Sequence, residues 1–390
     1  MADTSQPENN RYQFNHFKGN FVVKKTAPRI VLILLLCAAV MTLHSNSVQA
    51  DGVAKEEMKL TSAGPIAFGP DGLLLVSDPM AATIYAVETG DTSGSTEGVT
   101  IEVDDIRAKV ASMMGADAKE VRINDLAINP INGNPYLSVT RGSGDAEVSA
   151  ILTIDPKSKA ISEFDFDGKE FTKTSIENAA KSMQSRRGNP RMQSVTDMAF
   201  VDGQIYVAGL SNEEFASNLR AISYPFSESN NGCSIEIYHG AHGKYETRSP
   251  IRTFAAMETG EEVSLLAAYT CTPLVRIPVS DLKPKTKVKG TTIAELGNRN
   301  RPLDMVVYKK DGKDFALMAN SHRGVMKIDL ADAGSQPEIT ERVRGVSGTP
   351  YETVKELTGV MQLDGLSATH GVVLMRDESG KETLKTIDLP

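Results

Sequence analysis

Short apolar runs recur along the chain in pairs, each pair separated by a tight turn. Residues 66–89 read IAFGPDGLLLVSDPMAATIYAVET, 197–224 read DMAFVDGQIYVAGLSNEEFASNLRAISY, and 304–330 read DMVVYKKDGKDFALMANSHRGVMKIDL. In each, an apolar strand meets an Asp-Gly turn. A second apolar strand follows, ending in small or polar residues, then a loop and a third strand. Alternation and length favour strands over helices. The glycines of GPDG (69–72), VDG (201–203) and KDG (310–312) supply the positive φ that tight hairpins need. Third strands are visible in AILTIDP (150–156), PLVRIPVSDL (273–282) and LKTIDLP (384–390).

Aligned on their first strands, the units begin near Pro65, Asp125, Asp197, Ile251, Asp304 and Gly359. Most spacings are similar, and the interval between the second and third units is longer. One such unit leaves apolar residues on both faces and cannot bury them alone. Radial stacking buries both and leaves short, protected edges, which predicts an all-β protein folded as a single β-propeller. The spacing predicts six blades, or seven if one lies in the long interval. Three segments have helical spacing, DDIRAKVASMMG (104–115), TKTSIENAAKSMQS (172–185) and EEFASNL (213–219), and are expected as short helical insertions on one rim. Ring closure is expected to join LKTIDL at the C-terminus to EEMKLT (56–61) in one blade.

The first 50 residues have a different pattern. A polar stretch, 1–29, carries Lys24, Lys25 and Arg29. An apolar run, Ile30 to Leu43, follows, and then Val48-Gln49-Ala50 with small residues at the −3 and −1 positions. This reads as a signal peptide cleaved after Ala50, with an uncleaved signal anchor as the alternative. The apolar run is short of the roughly 17–25 residues of a spanning helix. The remainder, 51–390, is the propeller, expected in the periplasm or secreted and without a stable membrane span once cleaved.

Residues 1–50 hold five of the 42 Lys and Arg and two of the 50 Asp and Glu, so the exported part is more acidic than the whole chain's net −8. An acidic surface argues against nucleic acid and anionic membrane as partners. The chain has no Trp, which counts against an aromatic sugar-stacking platform. Cys233 and Cys271 remain after processing. Outside the cytoplasm they are expected to pair as a disulfide, the alternatives being separate buried thiols or a metal ligand.

Candidate chemistry gathers at the starts of the first strands, which line a propeller's central channel. Asp125, Asp197 and Asp304 open three units, with Asn124, Asn300 and Arg301 beside them. Carboxylates converging at a channel mouth would suit a divalent cation such as calcium. Alternatively, each fixes its blade by accepting backbone N–H bonds. GNPRMQSVTDM (188–198) and GNRNRPLDM (297–305) share Gly-Asn, a nearby Arg and a closing Asp-Met, so Arg191 in one, and Arg299 or Arg301 in the other, are candidate anion-binding or salt-bridging groups. Asn320 and His322 end a second strand, and His322 is a candidate general base. His239 and His242, in YHGAHGKYE, are a weak metal motif with Cys233 upstream, or loop histidines. No G-x-S-x-G, HExxH, CxxCH or phosphate loop occurs.

On units such as IAFGPDGLLLVSD and DMAFVDGQIYVAGL, the chain from about 60 to 390 resembles the extracytoplasmic propellers that include NHL-repeat, YVTN-type and gluconolactonase-like proteins. Gluconolactonase-like enzymes hold a metal with a Glu, an Asn and Asp residues at the channel mouth. That resemblance implies part of the same role for Asp125, Asp197 and Asp304, although Gly64-Pro65 stands where the Glu would be. The expected function is binding or scaffolding: a partner protein or small ligand held on one rim by a monomer. A metal-dependent hydrolase or lactonase and a periplasmic redox accessory subunit are the alternatives.

Overall fold

A computed structural model describes residues 57–185, 188–226, 232–260, 262–271 and 273–390. Residues 1–50, where a signal peptide is expected, lie outside these residues. The described chain forms six sheets, the blades of a propeller, antiparallel except where Lys287–Lys289 pairs in parallel with Cys233–His239 of blade 3. The innermost strands of blades 1 to 6 are Ile66–Phe68, Val121–Ile128, Asp197–Val201, Ile251–Thr259, Pro302–Lys310 and Val360–Gly365. The 150–156, 273–282 and 384–390 segments supply third strands, Val148–Ile154, Pro273–Pro278 and Glu382–Asp388.

Strand period explains the packing. In Leu73–Asp78 every residue is buried, because successive side chains enter opposite seams. Leu74 and Val76 pack with Ala127, Tyr136 and Ile151 of blade 2, whereas Leu73 and Leu75 pack with Met198, Ile205 and Val207 of blade 3. Six apolar clusters fill six seams in this way. The Asp-Gly turns have the predicted conformation: Asp202 and Gly203 lie at φ 49° and 77°, Asp311 and Gly312 at 51° and 75°. Two consecutive positive φ values match the right-handed twist of the flanking strands.

The same clusters show that spatial order departs from chain order. Around the ring the blades run 1, 3, 4, 5, 6, 2. After three strands of blade 1, the chain adds Glu102–Val103 as the fourth strand of blade 6 and then builds blade 2 beside it. It next returns with Phe171–Ser175 to complete blade 1, and enters blade 3. The long interval thus holds the missing strand of blade 1 and no seventh blade.

Three expectations are corrected. The C-terminal strand Glu382–Asp388 pairs with Glu102–Val103, not with the segment before blade 1. Residues 57–61 form no strand; buried Asp78 holds the segment, accepting from the Thr61 and Ser62 amides at 2.6 and 3.0 Å. Helix Ile106–Met114 forms and ends at Gly115 in the left-handed region, as its spacing predicts. The other two helices do not: Phe171–Ser175 and Ser217–Ser223 are strands. Phe171–Ser175 forms the outer strand of blade 1, and Ser217–Ser223 lies inside blade 3 between Gln204–Leu210 and Cys233–His239. The ladder bonds gained there override weak local helical spacing.

Cys233 and Cys271 are free thiols, not the expected disulfide. Cys233 faces the seam of blades 3 and 4, where burial pushes its thiol up to about 12 and Sγ donates to Leu219 O at 3.2 Å. Cys271 sits at φ 63° in the turn after Glu262–Tyr269. Reductant is therefore expected to leave the melting temperature unchanged. A lower melting temperature in the reduced protein would show that the thiols pair.

Candidate functional site

Four innermost strands carry a bulge near their start, between Ile123 and Asp125, Ile251 and Thr253, Pro302 and Asp304, and Val360 and Gln362. A bulge gives one strand an extra residue and re-aims its side chain. The extra residues are Asn124, Arg252, Leu303 and Met361. Asn124 Nδ2 donates to Ala63 O at 2.9 Å and Thr140 Oγ1 at 2.7 Å, tying blade 2 to the segment before blade 1.

Beside the bulges, aspartates join neighbouring blades through the backbone. Asp125 Oδ2 accepts from Ile66 N at 2.7 Å, Asp197 Oδ2 from Phe254 N at 2.7 Å, and Asp304 Oδ2 from Leu363 N at 2.8 Å. A fourth, Asp364, accepts from Ile128 N at 2.7 Å. In Asp197, Asp304 and Asp364 the other oxygen accepts from the next residue's own amide. Four of the six seams are latched in this way. Burial pushes all four carboxyls upward, Asp197 to about 7 and Asp364 to about 6. Asp125 and Asp304 rise well above the usual carboxylate range, with repulsion from the other aspartates adding to burial. These carboxyls are not among the side-chain groups whose ligand atoms lie within 4.8 Å of one another. Among the described residues, the only group of three ligand side chains with donor atoms within 4.8 Å of one another is His239, His242 and Glu246.

The arginines lie on the side of the mouth formed by blades 3, 4 and 5. Arg252 Nε donates to Thr270 Oγ1 at 3.1 Å and Nη1 to Gln193 Oε1 at 3.2 Å, spanning blades 3 and 4. Burial, and then the charge of Arg301, hold Arg252 down to about 10. Arg191 starts two residues before Gln193, its amide capped by Asn189 Oδ1 at 3.0 Å and its Nε buried without a partner among the described residues. Arg301 is exposed, and its amide donates to Ser321 Oγ at 3.0 Å. Among the described residues, none of Arg191, Arg252 and Arg301 pairs with a carboxylate.

Asn320 and His322 share the end of the blade where Arg301 lies, since Pro302 is paired with Asn320. Asn300 bridges them: its Nδ2 donates to Asn320 Oδ1 at 2.7 Å and its Oδ1 accepts from His322 N at 3.2 Å. His322 Nδ1 lies 2.8 Å from Ser321 Oγ. That hydroxyl also accepts from the Arg301 amide, and among the described residues no ion pair joins His322 to a carboxylate. Sequence reasoning missed Arg252 and Asp364. Arg252 has no motif around it, and Asp364-Gly365 imitates a hairpin turn.

His239 and His242 are brought together, away from the mouth, on the hairpin of Cys233–His239 and Lys244–Glu246. Their Nδ1 atoms lie 2.9 and 2.7 Å from the two oxygens of Glu246. Cys233 is not part of the group.

No protein-family model matches this chain, and no curated protein matches it. Solved structures show a low level of similarity to it. A PQQ-bound aldose sugar dehydrogenase from Streptomyces coelicolor is 14% identical, covering 85% of this chain and 96% of its own, with a TM-score of 0.37. Drosophila plexin A in complex with semaphorin 1b is 11% identical, covering 86% of each chain, with a TM-score of 0.35. An engineered GH43 glycoside hydrolase is 9% identical over 66% of this chain and 48% of its own, with a TM-score of 0.33.

Proposed function

We propose that this chain is an extracytoplasmic binding propeller that takes a small anionic ligand, bearing a carboxylate or phosphate, at the channel mouth. The observation that carries this reading is that Arg252, bonded to Thr270 and Gln193, and Arg301 lie near one another at the mouth without a carboxylate partner among the described residues. Two like charges lie close enough to lower the pKa of the more buried one, and no carboxylate among the described residues compensates them. An anion placed between the guanidiniums would relieve both the repulsion and the desolvation through paired N–H···O bonds. Gln193, Thr270 and Ser321 supply polar neighbours. The aspartates, occupied as latches, favour binding over metal-dependent hydrolysis.

Titration with inorganic phosphate and with di- and tricarboxylates tests this. Each charged hydrogen bond contributes about 1.5–3 kcal/mol, so Arg252→Gln is expected to weaken anion binding roughly tenfold to a hundredfold. The unliganded variant should not be less stable than the parent, because an unpaired, partly buried cation is removed. Equal affinity in parent, Arg252→Gln and Arg301→Gln proteins, or no anion binding in any of them, would refute the reading.

A further inference from the structure

We propose that His239, His242 and Glu246 bind a divalent transition-metal ion of the zinc class, at a site separate from the channel mouth. The hairpin builds it. His239 ends one strand, the turn Gly240–Gly243 reverses the chain, and Glu246 lies diagonally across from His239, opposite Ile237. Such diagonal neighbours on one face are within reach of long side chains. Gly243, at φ 67°, and its amide bond to His239 O at 2.8 Å fold His242 back over His239. The two imidazoles stack with centroids 3.8 Å apart and planes 36° from parallel, presenting both Nδ1 atoms to one carboxylate.

Donor type and spacing suit zinc. Two imidazole nitrogens and one carboxylate are a borderline set that prefers zinc-class ions over calcium or magnesium. A tetrahedral ion with bonds of about 2.0–2.2 Å needs donors roughly 3.3–3.5 Å apart. The present 2.7 and 2.9 Å contacts must open by less than about 1 Å, and all donors already lie within 4.8 Å. Half of the site is rigid. His239 is buried, and Gly240 N donates at 2.6 Å to Glu295 of blade 4. The other half is open: the His242 side chain is 47% exposed, so the ion has an entry path and a fourth coordination position facing water.

A second observation points the same way. His239 Nε2 is buried with no partner among the described residues, and so is Glu295 Oε2. When Nδ1 takes up a metal, the ring proton of a neutral histidine moves to Nε2, and metal-bound imidazoles characteristically give that N–H to a carboxylate. Glu295, one residue's amide away from His239, has an unused oxygen for this purpose. Lys244, 3.8 Å from Glu246, is two-thirds exposed and free to swing aside.

The test uses the full chain, stripped with chelator and titrated with zinc chloride by calorimetry and with cobalt chloride by visible absorption. One equivalent of zinc is expected to bind, and cobalt to give the absorption of low-coordinate nitrogen and oxygen ligation. His242→Ala, on an exposed turn, should weaken zinc binding about a hundredfold with an unchanged melting temperature in the metal-free protein. Glu246→Gln should weaken it as well, and His370→Ala, whose imidazole meets Asp388 elsewhere, should not. Absence of saturable binding at one equivalent, undiminished binding in His242→Ala, or loss in His370→Ala instead would overturn the proposal.

Discussion

Asp304→Ala is expected to destabilise the propeller by about 2–4 kcal/mol, read as a lower midpoint in guanidinium unfolding at neutral pH. The carboxyl accepts from Leu363 N on the next blade and from Met305 N on its own, both at 2.8 Å. Removing the acceptor leaves two half-buried amides unsatisfied, at about 1–3 kcal/mol each. Relief of repulsion from Asp125 and Asp197 offsets part of that loss. Asp304→Asn keeps one acceptor oxygen and should lose about half as much. A variant that unfolds at the same or a higher denaturant concentration would mean that the aspartate is not a latch and is held in place against stability, as in a ligand-binding group.

The same four carboxyls make stability depend on pH in the direction opposite to ordinary acid denaturation. An aspartate in the unfolded chain titrates near 3.9. In the folded ring, burial pushes Asp364 to about 6 and Asp197 to about 7, with Asp125 and Asp304 also raised well above the usual range. Between about pH 4 and 7 the folded protein therefore binds protons that the unfolded chain has released. The stability associated with them is greatest at the low end and is lost as pH rises through the folded values. At about 1.4 kcal/mol per pKa unit, Asp197 alone contributes up to about 4 kcal/mol, less where the channel admits water. Glu246 does not interfere: its two histidines hold it down to about 2, so its contribution is lost only at more acid pH. The melting temperature is expected to fall by several degrees from pH 5 to pH 8 at constant ionic strength, and Asp197→Asn should flatten the profile. A curve that rises over this interval would show that the aspartates stay ionised in the fold.

Much of the blade architecture was legible in single strands. Leu73 to Val76 are apolar at four consecutive positions because both faces of an inner blade strand are buried, and such a run flanked by Asp-Gly turns has few other homes. The Asp of Asp197-Met198 and Asp304-Met305 stood out as a repeated feature, since a latch needed at several seams recurs in the repeat. Segment 171–175 was not legible, because its Thr-rich pattern suits a half-buried edge strand no better than a helix start. Arg252 became visible only when the bulge at Ile251–Thr253 and the neighbouring Arg301 were placed. Glu246 joined His239 and His242 only through hairpin register.

The amino-acid sequence alone determined the strand unit and its turns and narrowed the ring to six or seven blades, since these depend on local periodicity and on positive φ at glycine and its neighbours; the pairing of Phe171–Ser175 with blade 1 then left six. The tertiary structure decided the ring order 1, 3, 4, 5, 6, 2, the borrowed outer strands, the free thiols and the grouping of the arginines. Those features depend on which surfaces meet across seams, and every blade seam offers similar apolar faces, so local pattern cannot rank one neighbour above another.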